Sequence, residues 1–422
     1  MERQVPESPL TKGEKAAGLG GCHGRFMHPK YDNPRAVSTK PMSVFAKGIC
    51  EGIEIQQKIR LPSPQCGRGV GGEGGRLTLR VHSHRLWAGK LTELVGSVIL
   101  LFLSIEFARA ASPLARFEQS QPHMGTVARI VVYAPSAEAA AAATRSAFER
   151  IRELDSILSD YQRESELSRL SQQSGGPPVK IGSDLFRVLS VAQKLAVRSN
   201  GAFDVTAGPV IRLWRRARRQ RALPEADRIA AARDLTGFRW LTLDAKQQTA
   251  QLAKPGMLLD LGGIAKGYAA DEALKSLKRA GIERALVALG GDIAVSNPPP
   301  GKKGWNIEIA SLNLQGAPKP RALLLHIAAV STSGDAEQYV EIGGIRYSHT
   351  VDPRTGKALT GRRSVTVVAT NGTDSDALAT ALSVIRPEEG LKLIEATRGA
   401  SALIVVQTNS GIQTWKSKRW RE

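Results

Sequence analysis

The sequence predicts an α+β fold, mixed sheets with packed helices, over residues 111–422. Three observations carry this expectation. Two segments, 137–158 and 184–198, repeat apolar residues at helical spacing. Many short β-rich segments alternate with turn residues. Strands and helices follow one another without the strict βαβ order of a doubly wound parallel sheet.

The elements follow in order. Residues 126–133 are β-rich and partly alternating, a strand. Ser136 is placed to cap a helix over 137–158, whose Phe148, Ile151, Leu154 and Leu158 share one face. A second helix is expected over 184–198, capped by Ser183 and stopped by Asn200-Gly201, with Leu185, Val188, Leu189, Ala192 and Leu195 as its apolar stripe. Strands are expected at 240–243, 257–261, 285–289, 305–309, 323–328, 347–351 and 363–369. Helices near 374–384 and 387–397 follow, and 402–407 with 412–415 reads as a closing hairpin. Residues 298–304 read as an exposed, turn-rich loop.

Before residue 111 the chain has another character. Residues 1–80 are rich in Gly and Pro, lack a sustained period, and read as a non-globular extension or a mis-assigned start. Residues 81–110 read as a secretory signal peptide. Arg85 and Lys90 give a basic start, Val98-Ile99-Leu100-Leu101-Phe102-Leu103 an apolar run, and Ala108-Arg109-Ala110 a cleavage site. A buried core helix is the competing reading; the run is short for a membrane span. Translation is expected to begin near residues 81–86. Cys22, Cys50 and Cys66 all precede this segment, so the exported part has no thiol chemistry. No cysteine follows the apolar run, so no lipid anchor is expected. The expected location is the periplasm of a bacterium, with inner-membrane association if the signal is not cleaved.

The net charge is +20, of which about +7 lies in residues 1–110 and about +13 beyond. The densest run, Arg215-Arg216-Ala217-Arg218-Arg219-Gln220-Arg221, lacks interleaved aromatics and reads as a solvated basic face. Nucleic acid is not an expected partner.

Five clusters carry possible chemistry. Asp376 and Thr380 stand four residues apart in a helical segment, on one face. A carboxylate beside a hydroxyl is a hard-oxygen pair suited to magnesium. Helix capping by Thr373 or Asp374, with Asp376 favouring the positive end of the dipole, competes with that reading. Leu259-Asp260-Leu261-Gly262-Gly263-Ile264-Ala265-Lys266 runs from a strand through a glycine pair into a helix, a geometry that exposes backbone N–H groups to phosphate. Asp260 either bonds a ligand or caps the turn. His349 precedes the turn Asp352-Pro353-Arg354-Thr355-Gly356 and is either a general base or a structural histidine. Residues 201–206 and 289–292 either contribute to a site or are tight turns.

Together these strings resemble the ApbE family, the FAD:protein FMN transferases. The matching pieces are MGT at 124–126, LSDYQRESELSRL at 158–170, GAFDVTAGP at 201–209 and DLGGIAKGYAAD at 260–271. LGGD at 289–292, SGD at 333–335, SHTVDPRTG at 348–356 and DALATAL at 376–382 continue the series. The resemblance implies an ApbE-like, T-fold-like architecture. It implies an FAD site lined by Met124, Tyr161, Ala202, Phe203 and Asp204, with Asp260, Lys266 and Thr350 also binding FAD. It implies Mg2+ held by the Gly263 carbonyl, Asp376 and Thr380, and His349 as the catalytic base. Thr350 stands where an apolar residue is common in the family.

The activity implied is magnesium-dependent transfer of FMN from FAD to a Thr or Ser hydroxyl of an acceptor protein, releasing AMP. The acceptor class implied is a flavoprotein subunit of a redox complex. Two rivals remain at this level: an FAD pyrophosphatase that uses water, and an FAD-binding protein without turnover.

Overall fold

The structure, a computed structural model, describes residues 113–309, 312, 321–334 and 339–421. The extension, the export segment, the three cysteines and Asp335 lie outside the described residues.

The framework is an eight-stranded antiparallel sheet. Its spatial order is β1 (Ala115–His123), β2 (Thr126–Ala134), β6 (Ala285–Leu289), β7 (Asp292–Val295), β10 (Ala328–Gly334), β14 (Arg363–Ala369), β15 (Ser401–Thr408) and β16 (Gly411–Lys416). The two-residue period of a strand sorts the side chains to opposite faces. Ile130, Val132, Ala285, Val287 and Leu289 enter the larger core. Val131, Leu286 and Ala288 enter a second core on the other face.

Helices cover the first face: α1 (Ala137–Leu158), α6 (Ala265–Arg279) and α7 (Gly372–Val384). Ser136 accepts the Ala139 N–H at 3.2 Å, so α1 starts at the cap expected for it. The second face is covered by the hairpin β8 (Trp305–Ile309) and β9 (Arg321–Leu325), through Trp305, Ile307, Ile309, Leu323 and Leu325.

A peripheral layer carries α2 (Glu166–Gln172), α3 (Ser183–Arg198), α4 (Gly208–Gln220) and α5 (Ala226–Asp234). Beside it lie a small sheet of β3 (Val179–Lys180), β5 (Thr249–Leu252) and β4 (Leu241–Asp244), and a second of β11 (Tyr339–Ile342), β12 (Ile345–Asp352) and β13 (Lys357–Thr360). A final helix, α8 (Pro387–Glu395), packs on β15.

Several expectations are corrected. Residues 257–261 form no full strand; only Leu258 pairs, by a parallel bridge to Ala207, before the chain turns at Gly262-Gly263. The segment 323–328 is not one strand: Ile327, at φ 44°, breaks it into β9 and β10. Gly182, not Ser183, holds the cap position of α3, without a side-chain bond. Asn200 and Gly201 do end α3, both at positive φ. Strand β1 and helices α2, α4 and α5 had no counterpart among the expected elements.

Candidate functional site

The site is built where α6 meets α7. An added Cβ on Gly267 would stand 2.0 Å from the Gly372 carbonyl oxygen and 2.8 Å from the Asp376 Cβ, so the two helices touch through a glycine pair. This contact puts Asp376 against the first turn of α6, where its Oδ2 accepts the Gly267 N–H at 3.0 Å. Asp376 is buried. It does not cap its own helix. Asn371 does that, accepting the Asp374 N–H at 2.8 Å. Asp271, reaching across from α6, accepts the Gly372 and Thr373 N–H groups at 2.6 and 2.9 Å and the Thr373 hydroxyl at 2.6 Å. The cap is therefore Asn371, not the Thr373 or Asp374 that the sequence offered for it.

Gly263 lies against the next turn of α7. A Cβ there would be 2.7 Å from Thr380 Oγ1, so only glycine lets this backbone approach the hydroxyl. Gly263, Asp376 and Thr380 are thus neighbours.

Lys266 adds a positive charge. Its ammonium pairs with Asp292 and stands 3.7 Å from Asp376 Oδ2. Burial and the nearby Asp292 push the Asp376 carboxyl up to about 7, with Lys266 opposing. Burial works against the Lys266 charge, yet Asp292 and Asp376 offset it and hold the ammonium above the ordinary lysine range. Asp292 had no assigned role. Its signal was the acidic end of the LGGD string, whose Gly290 has φ 63° and turns β6 into β7.

The glycine turn also fixes Asp260. Its Oδ1 accepts the Gly262 N–H at 2.8 Å, and its Oδ2 accepts from Arg215 of α4 at 2.7 Å. Burial and the neighbouring Asp160 push the Asp260 carboxyl up to about 6, and Arg215 pulls against them. Arg215 also pairs with Asp160, and its guanidinium lies 4.4 Å from the centre of the Tyr161 ring. The basic run is therefore not a uniformly solvated face. Arg216, Arg219 and Arg221 are exposed, while Arg215 turns inward.

The other expected FAD residues fall at three places. Ala202 and Phe203 are buried in the main core. Asp204 accepts the Thr206 N–H and hydroxyl on Oδ1, at 2.8 and 2.7 Å, and the Phe238 N–H on Oδ2 at 2.7 Å. Its carboxylate ties the turn at 204–206 to the distant backbone at Phe238, and burial raises its pKa. Met124 and Gly125, at φ 51° and 70°, form the two-residue turn between β1 and β2. Two positive φ values are what a twisted hairpin turn requires, and Met is an unusual residue to supply one.

His349 lies in β12, half-buried between buried Ser348 and Thr350. The pairing of β12 with β13 shifts register between Tyr347 and Val351, so His349 sits in an irregular stretch. Such bulges bend a strand and re-aim its side chains. Strand β12 packs against both α4 and α7. Trp214 of α4 donates to the Gly356 carbonyl at 2.9 Å and lies 5.3 Å from the Tyr347 ring, fixing the turn after His349. The strand of His349 therefore runs beside the helix of Arg215 and the helix of Asp376.

Among the described residues, no group of three or more His, Cys, Asp or Glu side chains is arranged to hold a metal ion. A metal here would depend on mixed oxygen donors: carboxylate, hydroxyl and carbonyl.

The antiparallel sheet and the glycine-paired helices, with Lys266, Asp292, Asp376 and Thr380 gathered where those helices meet, define the class as α+β. The sequence profile of the ApbE family matches residues 124–404, and the chain belongs to that family. An FAD:protein FMN transferase of Treponema pallidum is 31% identical over 339 residues, 75% of this chain and 93% of the relative. One from Vibrio cholerae is 30% identical, covering 74% of this chain and 94% of the relative. Among solved structures, the flavin transferase ApbE of Vibrio cholerae matches with a TM-score of 0.64 at 29% identity, over 72% of this chain and 98% of that one. The apo flavinyl transferase ApbE of Pseudomonas stutzeri matches with a TM-score of 0.64 at 30% identity, over 72% and 96%.

Proposed function

We propose that this chain transfers the FMN half of FAD to a Thr or Ser hydroxyl of an acceptor protein, with Mg2+ and with release of AMP. The observation that carries the reading is the meeting of Gly263, Asp376 and Thr380 beside the Lys266–Asp292 pair. The names of the relatives support the same activity.

The donor set suits magnesium. Asp376, Thr380 and the Gly263 carbonyl are all hard oxygens. The Gly267 and Lys266 contacts both fall on Asp376 Oδ2, and Lys266 is drawn towards Asp292 rather than onto Asp376. The bound ion would supply charge neutralisation at the pyrophosphate.

The chain's own residues would do the rest. Lys266 would face the phosphate oxygens, and the glycine turn would offer backbone N–H groups. Asp260 would accept from donors on the ligand. His349 would take the proton of the acceptor hydroxyl as that oxygen bonds to the FMN phosphorus. The bond between this phosphorus and the bridging oxygen breaks, and AMP leaves with that oxygen.

The test mixes purified protein, FAD, Mg2+ and candidate flavoprotein subunits of redox complexes, followed by in-gel flavin fluorescence. A fluorescent acceptor band with stoichiometric AMP supports the reading. AMP and free FMN with an unlabelled acceptor would identify a hydrolase instead. The site of action proposed is the periplasm, reached through residues 81–110; a native N-terminus at Met1 would defeat that part.

A further inference from the structure

We propose that Arg215 is a positioning residue for FAD, holding the Tyr161 ring as a stacking platform and Asp260 as the acceptor beside it. The inference rests on the proposed FAD activity and adds a residue to it.

Arg215 joins three segments distant in sequence. Its guanidinium binds Asp160 in the loop after α1 and Asp260 in the glycine turn, and covers one face of Tyr161. The side chains of Arg215 and Asp160 are only 20% and 19% exposed, and that of Asp260 only 5%. This is a built cluster, since a planar guanidinium with fixed donors can satisfy two carboxylates and stack at once.

Tyr161 is the anomaly. It is 77% exposed although one face lies under the cation. A tyrosine clamped from behind and bare in front has surrendered side-chain freedom without gaining burial. That arrangement makes sense if the bare face receives a flat ring, because a ring ordered in advance lowers the entropy lost on binding. Asp260, fixed by Arg215 and by the Gly262 N–H, lies within the same cluster and suits N–H or O–H donors on the ligand. FAD offers both flat rings and such donors. Arg215 bonds Asp160 and Asp260 and covers Tyr161, so its role is binding rather than bond breaking.

The experiment compares FAD affinity, the induced circular dichroism of the bound flavin, and KM against kcat, in the full chain with Mg2+. Arg215→Gln is expected to weaken FAD binding and raise KM by about tenfold or more, the loss of a charged hydrogen bond. The induced dichroism should shrink, while kcat at saturating FAD stays near wild type. Arg215→Lys keeps the charge but not the fork, and should fall between; it decides the matter if the Gln variant does not fold. In a Tyr161→Leu background, Arg215→Gln should cost markedly less than in wild type, because the two act as a unit. Arg216→Gln, at an exposed arginine bonded to Gln220, should change nothing. Folded Arg215 variants with wild-type affinity and dichroism would overturn the proposal, as would full additivity with Tyr161→Leu. A wild-type protein that fails to bind FAD would instead overturn the proposed function.

Discussion

Replacing Gly267 by Ala pits two effects of opposite sign against each other. In an unconstrained helix interior, Gly→Ala stabilises by about 1 kcal/mol. Here the new methyl would lie 2.0 Å from the Gly372 carbonyl oxygen and 2.8 Å from Asp376 Cβ. The first of these is backbone and cannot swing aside. Restoring ordinary contact, which begins at 3.4 Å, moves the start of α7 by about 1.4 Å. Overpacking of this kind costs about 1–3 kcal/mol. The same movement stretches the Gly267 N–H bond to Asp376 and the Asp271 bonds to Gly372 and Thr373. A buried group losing its partner adds about 1–3 kcal/mol. The expected net loss is about 3 kcal/mol, measured by urea unfolding, with Mg2+ affinity falling at least tenfold by titration calorimetry. Gly281→Ala is the comparison: nothing crowds it, but its φ of 82° makes Ala strained, so stability should drop by about 1 kcal/mol with Mg2+ binding unchanged. A Gly267→Ala protein as stable as wild type with normal Mg2+ affinity would refute the claim that this glycine contact sets the site.

Three further outcomes are expected. Asp271→Ala leaves two backbone N–H groups and a hydroxyl without their carboxylate, and should destabilise by about 2–4 kcal/mol in urea unfolding, with Asp271→Asn losing less. The Asp376 carboxyl, raised to about 7 without metal, is protonated in the native state over a range where the unfolded chain is not. Its contribution to stability is complete below about pH 4 and disappears as pH rises through about 7, whereas Mg2+ affinity should rise about tenfold per pH unit up to about pH 7 and then level off; Asp376→Asn should remove both trends in pH-dependent unfolding and calorimetry. His349→Ala should abolish FMN transfer in the gel assay while FAD affinity stays within about threefold of wild type; loss of FAD binding with it would make the residue structural.

The sequence carried much of this site because its signals are local. Asp376 and Thr380 reveal their shared face by a four-residue spacing, and the glycines before α6 mark a turn and a close approach. The central strands were legible as short runs of Val, Ile, Leu and Ala buried on both faces, and α1 because one face of it is buried and its helical period survives. Strand β1 was not: it is a mostly exposed edge strand, and its string ARFEQSQPH lacks apolar alternation. Helix α4 was hidden by its arginines, with Val210, Trp214 and Ala217 marking the buried side beyond its Gly208-Pro209 start. The role of Arg215 was out of reach for a different reason. Its partners Asp160 and Asp260 lie 55 and 45 residues away, and nothing local distinguishes it from Arg216. Residues 257–261 have the composition of a buried strand, but strand identity needs a partner along the whole length, and Leu258 alone has one. The register shift around His349 depends on pairing that composition does not encode.

The central claim is that one cleft holds a divalent ion and the FAD pyrophosphate together. The most direct measurement is a crystal structure of the protein with FAD and Mn2+, located by anomalous scattering. The account predicts a manganese peak bonded to Asp376, Thr380 and the Gly263 carbonyl and in contact with the pyrophosphate, with His349 facing the FMN phosphorus. A peak elsewhere, or a pyrophosphate bound away from these three residues, would contradict it.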